Sequence, residues 1–77
     1  MPKAYVLINV KSQHRVKETL VALRRKKGVA SADAIFGPYD VIAVIEGQDL
    51  EDLSNTVIGD LYDLGHIKNS TTCIAID

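Results

Sequence analysis

The sequence predicts an α+β fold in the order βαββαβ, with a four-stranded antiparallel sheet and two helices on one of its faces. Three observations carry this reading. Four short runs rich in β-branched and other apolar residues alternate with two stretches whose apolar residues recur at helical spacing. Each helical stretch opens on a capping residue and closes on a glycine. The strongest turn signal, Gly37-Pro38, falls between the two central strand-like runs. The ferredoxin-like arrangement is one of the standard small ways of burying one sheet face under helices.

In chain order, Ala4–Val10 (AYVLINV) is too short for a helix and reads as the first strand. Ser12 follows as an N-cap, and Val16, Leu20 and Leu23 share one helical face. Lysines and arginines fill the outer face, and Gly28 supplies the stop. The run Arg24-Arg25-Lys26-Lys27 puts positive charge where the helix dipole favours it. Val29–Phe36 is the second strand, with small residues at Ala30, Ala32 and Ala34, and Val41–Glu46 is the third. Asp49 begins the second helix, Glu51 and Asp52 occupy its first turn, and Leu50, Leu53, Val57, Leu61 and Leu64 form its buried stripe. Gly59 inside that helix costs about 1 kcal/mol against alanine, so a close contact is expected there. Gly65 ends the helix, and Ile67–Ile76 is the last strand. Residues 1–77 read as a single domain without linker, repeat or low-complexity segment.

A chain of 77 residues is small. Near this size only about 60% of the unfolded surface is buried, so a staple or a partner helps. Cys73 is the single cysteine, which removes an internal disulfide and fits a reducing, intracellular setting. Two histidines and one cysteine without close spacing make no metal site, and no motif calls for a cofactor. A formal net charge of −1 argues against broad binding to nucleic acid or an anionic membrane. No apolar run approaches the roughly 20 residues that span a bilayer. The start, Met1-Pro2-Lys3-Ala4, leads straight into a strand without a signal peptide's apolar core. The expectation is a soluble, cytoplasmic protein.

Strand alternation sets Val6, Ile8 and Val10 against Tyr5 and Leu7. It sets Val41, Ala43 and Ile45 against Ile42 and Val44, and Thr72, Ile74 and Ile76 against Thr71, Cys73 and Ala75. Two helices cover one face only, and an open second face would be polar. Its apolar character predicts a second copy, sheet against sheet, in a closed two-fold dimer, that is, a dimeric α+β barrel.

Catalytic groups do not assemble. His14 and His66 have no evident partner, and Cys73 reads as a small buried hydrophobe in mid-strand. Asp49, Glu51 and Asp52 are explained by a helix N-terminus, and no phosphate-cradling glycine loop occurs. No catalytic residue is assigned, and the chain is not expected to be an enzyme. The basic run at residues 24–27 reads as a solvated helix end, and the third strand lacks the rings that sheet-face RNA binders use. Within Gly37-Pro38-Tyr39-Asp40, Gly37 tolerates unusual dihedrals, Pro38 presets φ, and Asp40 can accept backbone N–H groups. Tyr39 is surplus to a turn, which leaves both a bare turn and a site open on these residues alone.

The tetrapeptide between two apolar strands resembles the Gly-x-Tyr-Asp signature of the effector domain of the Lrp/AsnC family of transcription regulators, also called the RAM domain. The stretch GVASADAIFGPYDVIAVIEGQDLEDL is similar to that family's second strand, hairpin, third strand and start of the second helix. In LGHIKNSTTCIAI, Ile67, Ser70 and Thr72 match a closing pattern of a hydrophobic residue, a hydroxyl residue and a threonine. The resemblance implies a domain that dimerises through its sheet and assembles further, from tetramers to octamers. It implies an amino-acid effector bound between dimers by Gly37, Tyr39, Asp40, Ser70 and Thr72. Asp40 would pair with the ammonium or hold the loop so that its carbonyls do so. It implies a stand-alone module without the family's helix-turn-helix domain, which either co-assembles with a full-length regulator as partner or acts as a ligand-dependent oligomer by itself, and does not bind DNA directly. Rival readings are an ACT domain, disfavoured because the loop VKSQHR has no glycine, a small dimeric α+β-barrel enzyme, and a purely structural oligomerisation module.

Overall fold

The order βαββαβ is present in the computed structural model, which describes residues 2–61 and 64–76, without the side chains of Ile58 and Asp60. Strands β1 (Lys3–Val10), β2 (Val29–Ala34), β3 (Val41–Glu46) and β4 (Ile67–Ile74) form one antiparallel sheet in the spatial order β2-β3-β1-β4. Helices α1 (Val16–Arg24) and α2 (Leu50–Asn55) pack on one face of it. β3 has the ends expected from sequence. β2 and β4 are shorter than expected, and Phe36 and Ile76 lie beyond them, almost wholly exposed.

Register places the core. Ala4 opposes Ile45 and Ile74, Val6 opposes Ala43 and Thr72, and Ile8 opposes Val41 and Ser70. Directly opposed residues share a face, so Ala4, Val6, Ile8, Val41, Ala43 and Ile45 form a closed apolar floor. Leu23, Leu53 and Leu61 descend onto it from the helical side. Full burial of each Val, Leu or Ile stabilises by about 1.5–3 kcal/mol.

Several local expectations need correction. Ser12 caps a 3₁₀ turn at Gln13–Arg15, its Oγ accepting the His14 N–H at 3.3 Å, and regular α-helix begins only at Val16. The second helix is α-helical only to Asn55 and continues as a π-helical turn at Thr56–Leu61. Leu53 and Leu61 are buried and Val57 and Leu64 partly so, but Leu50 is 58% exposed. Periodicity fixes a direction around a helix axis and not whether the sheet lies beneath that turn. At Gly59 an added Cβ would meet nothing within 4 Å among the described residues. The close approaches lie elsewhere: a Cβ on Gly28 would come 2.8 Å from Thr56 Oγ1, and one on Gly47 3.0 Å from Asp52 Oδ2. Gly65 has φ of 77°, the left-handed conformation that closes the helical segment, as expected.

The face opposite the helices has an apolar centre and polar edges. Tyr5 and Leu7 of β1 stand beside Val44 and Ile42 of β3, all half-buried. Ser31 and Asp33 flank them on β2, and Thr71 and Cys73 on β4. β4 itself is exposed from Lys68 to Ile74, on the helix side as well as the open side.

Candidate functional site

The β2–β3 hairpin is fixed by one residue. The Ile35 N–H donates to Asp40 O at 2.9 Å, and the Asp40 N–H donates to Ile8 O at 2.9 Å. Asp40 Oδ2 accepts the Val10 N–H at 3.0 Å. Asp40 therefore closes the hairpin through its carbonyl and ties it to the end of β1 through its N–H and a charge-assisted side-chain bond. At the tip, Phe36, Gly37 and Pro38 are exposed. Gly37 is not in the left-handed region, which among the described residues only Gly65 occupies, so unusual dihedrals are not what it supplies. Nor does space require a glycine there: an added Cβ would meet nothing within 4 Å among the described residues.

Tyr39 reaches back over the open face. Its hydroxyl lies 3.4 Å from Thr71 Oγ1, so the ring crosses β1, which separates β3 from β4. Next to this contact Asn9 Nδ2 donates to Asn69 Oδ1 at 3.1 Å. The hairpin, Tyr39, Thr71 and this asparagine pair make a polar corner on the open face.

Ser70 and Thr72 lie on the other side. They oppose Ile8 and Val6, whose side chains point to the helices, and they are exposed. Ser70 borders an open cleft of about 420 Å³ with Lys11, Gly65, Ile67, Lys68 and Asn69. Thr72 borders a mainly apolar cleft of about 210 Å³ with Ala4, Leu53, Ser54, Val57 and Ile74. The five residues singled out from sequence thus fall into two groups within one chain. Gly37, Tyr39 and Asp40 stand together, and Ser70 and Thr72 stand on the opposite face of an edge strand.

Register explains what sequence reasoning missed. Asn9 opposes Asn69 and Val10 opposes Ile67, so Lys68 has no counterpart in β1 and forms a bulge. A bulge re-aims a side chain out of strict alternation, and no residue type in KNS announces it. Thr71 was legible in principle, because alternation puts it with Cys73 on the open face and a hairpin tyrosine is long enough to reach it.

Other candidates resolve as structure. His66 does have a partner: its Nε2 is 3.3 Å from Glu18 Oε2, and Arg15 Nη1 donates to both oxygens of Glu18 at 2.9 and 3.1 Å. Cys73 is exposed in the row of Tyr5 and Val44, not buried. Arg24 departs from the solvated helix end, its Nε and Nη2 donating to Ala32 O at 3.1 and 2.9 Å and fastening α1 to β2. Among the described residues no helix is long and apolar enough to cross a membrane.

The family model of the Lrp/AsnC ligand binding domain matches residues 3–77. No curated protein matches the chain. A crystal structure of a protein from Thermus thermophilus superposes with a TM-score of 0.92 at 28% identity, covering 100% of this chain and 95% of that one. AsnC of E. coli superposes at 0.91 with 18% identity, over 99% of this chain and 51% of its own. A transcriptional regulator from Neisseria meningitidis, in complex with L-Met, superposes at 0.84 with 16% identity, over 99% of this chain and 50% of its own. The chain spans about half the length of these two regulators, and at such identities their likeness is one of fold.

Proposed function

The chain belongs to the Lrp/AsnC ligand-binding domain family, and on that premise we propose that it is an effector-binding and oligomerisation module whose ligand is an amino acid. The site is shared between copies. Gly37, Tyr39 and Asp40 come from the hairpin of one copy, and Ser70 and Thr72 from the β4 edge of another.

One observation carries this reading: the two groups lie on opposite faces of the same sheet, so a ligand that touches both must sit between chains. Asp40 acts through the loop, since its carboxylate already accepts from Val10. The exposed carbonyls of the tip then accept from the ligand's ammonium, and the β4 hydroxyls donate to its carboxylate. A ligand desolvated between chains needs such partners for both charges. The L-Met complex of the Neisseria regulator, a protein of the same fold, agrees with an amino acid as ligand.

Assembly follows from the same surface. The apolar centre of the open face is covered by a second copy, and hairpin-to-β4 contacts join dimers into larger assemblies. The module modulates amino-acid-responsive transcription through a partner regulator and not by reading DNA itself. Its role is binding and not catalysis.

Light scattering and calorimetry against the twenty standard amino acids test this together. Selective heat accompanied by a change in assembly mass is expected, and Tyr39→Ala should remove both while leaving the dimer. An intact assembly that ignores the whole panel would leave a purely structural oligomerisation module in its place.

A further inference from the structure

The two helices carry opposite charge, and we propose that the helical face of the molecule is a docking surface for a second copy, the outer face of α1 receiving the start of α2 and the reverse. This contact is separate from the effector site and from the open face of the sheet.

Residues 15–27 hold six lysines and arginines against one acid, Glu18, whereas residues 46–55 hold four acids and no lysine or arginine. Glu18 is already taken by Arg15, which donates to both of its oxygens. The chain has a formal net charge of only −1 and is nevertheless strongly polarised across its helical layer. Two copies that set α1 on α1 repel. Two copies related by an axis that sets α1 on α2 attract.

Each half also has an apolar piece. On α1, a shallow cleft of about 480 Å³ is bordered by His14, Lys17, Glu18, Val21, Ala22 and Arg25. Lys17, Val21 and Arg25 recur every four residues on one stripe of the helix, so the exposed Val21 lies between two cations. On α2, the exposed Leu50 is the first residue and lies between Asp49 and Glu51. A leucine set between acids matches a valine set between cations in both charge and polarity. A two-fold axis makes that match twice, because each copy offers both surfaces.

Exposed ion pairs contribute little each and fade with salt. The contact therefore forms in concentrated protein at low ionic strength and is open in dilute solution. The helical and open faces are opposite sides of one sheet, so a chain covered on its open face is still able to dock by its helices.

Light scattering of the full chain over a range of concentrations tests this at about 0.01 M and about 1 M salt, between which the screening length falls from about 30 Å to about 3 Å. Average mass should double with concentration at low salt and keep its dilute value at high salt. Lys17→Glu combined with Arg25→Glu should abolish the rise, and so should Glu51→Lys, all at exposed positions. Mixed in equal amounts, these two variants should regain it, because each then offers the charge that the other lacks. Ile42→Lys, on the open face, should leave the salt-dependent doubling in place. A mass indifferent to salt, a rise that persists in both helix variants, or mixed variants that stay apart would overturn the docking. So would loss of the rise in Ile42→Lys, which would place the contact on the open face. A labelled DNA duplex that binds the wild type at low salt and displaces the second copy would assign the α1 face to nucleic acid instead.

Discussion

Asp40 shows how a single residue can hold a hairpin in place through bonds made wholly within the chain. Its carboxylate takes the Val10 N–H, and its own N–H and carbonyl go to Ile8 and Ile35. Asp40→Ala leaves the partly buried Val10 N–H without an acceptor, a loss of about 1–3 kcal/mol. Urea denaturation at fixed protein concentration should show that loss, with Asp40→Asn recovering most of it through its remaining oxygen. A carboxylate needed only for its charge toward a ligand would give the opposite result, with stability untouched by either substitution. At this scale the sequence was partly legible. The Asp in Gly-Pro-Tyr-Asp announced an acceptor of backbone N–H groups, but nothing local announced that the donor would be Val10, thirty positions away. Thr71 was legible as an open-face residue from alternation, but its contact with Tyr39 exists only once β4 pairs with β1.

Among the elements, the strands were read nearly whole because alternation over a short run has few competing explanations. The second helix was read well in kind and less well in detail. Capping at Asp49 is as expected, with Asp49 Oδ1 accepting the Asp52 N–H at 2.8 Å, and Gly65 closes the segment. The π-helical turn at Thr56–Leu61 has no pattern of its own, and its effect appears in which leucines are buried. Leu53→Ala should cost about 2–5 kcal/mol, whereas Leu50→Gln should stay within about 0.5 kcal/mol. Thermal unfolding of the two variants separates them. Equal destabilisation would mean that Leu50 is packed after all, against a partner outside the chain. The crowding expected at Gly59 belongs instead to Gly28 and Gly47, because tight backbone approach is set by neighbouring elements and not by the helix that carries a glycine.

For the whole molecule, the prediction concerns what covers the open face. Ile42 and Leu7 sit at its centre, half-buried in the single chain and opposed across β1 and β3. If a second copy stacks there, Ile42→Lys buries an unpaired charge, and the mass in dilute solution should fall to the monomer's 8.4 kDa. Phe36→Ser, at the exposed hairpin tip, should reduce only assembly beyond the dimer. A wild-type chain already monomeric by scattering would remove the sheet-to-sheet arrangement. The apolar centre of this face was legible from alternation alone. Its polar rim was not, because strand order decides which residues become edges.

The bulge at Lys68 has one more consequence. β4 ends the sheet, so one side of it offers unpaired N–H and C=O groups as a template on which another chain could polymerise. An irregular, lysine-bearing stretch at such a border breaks that template and discourages fibril growth. Replacing Lys68 by a neutral, strand-forming residue would therefore invite association along this border.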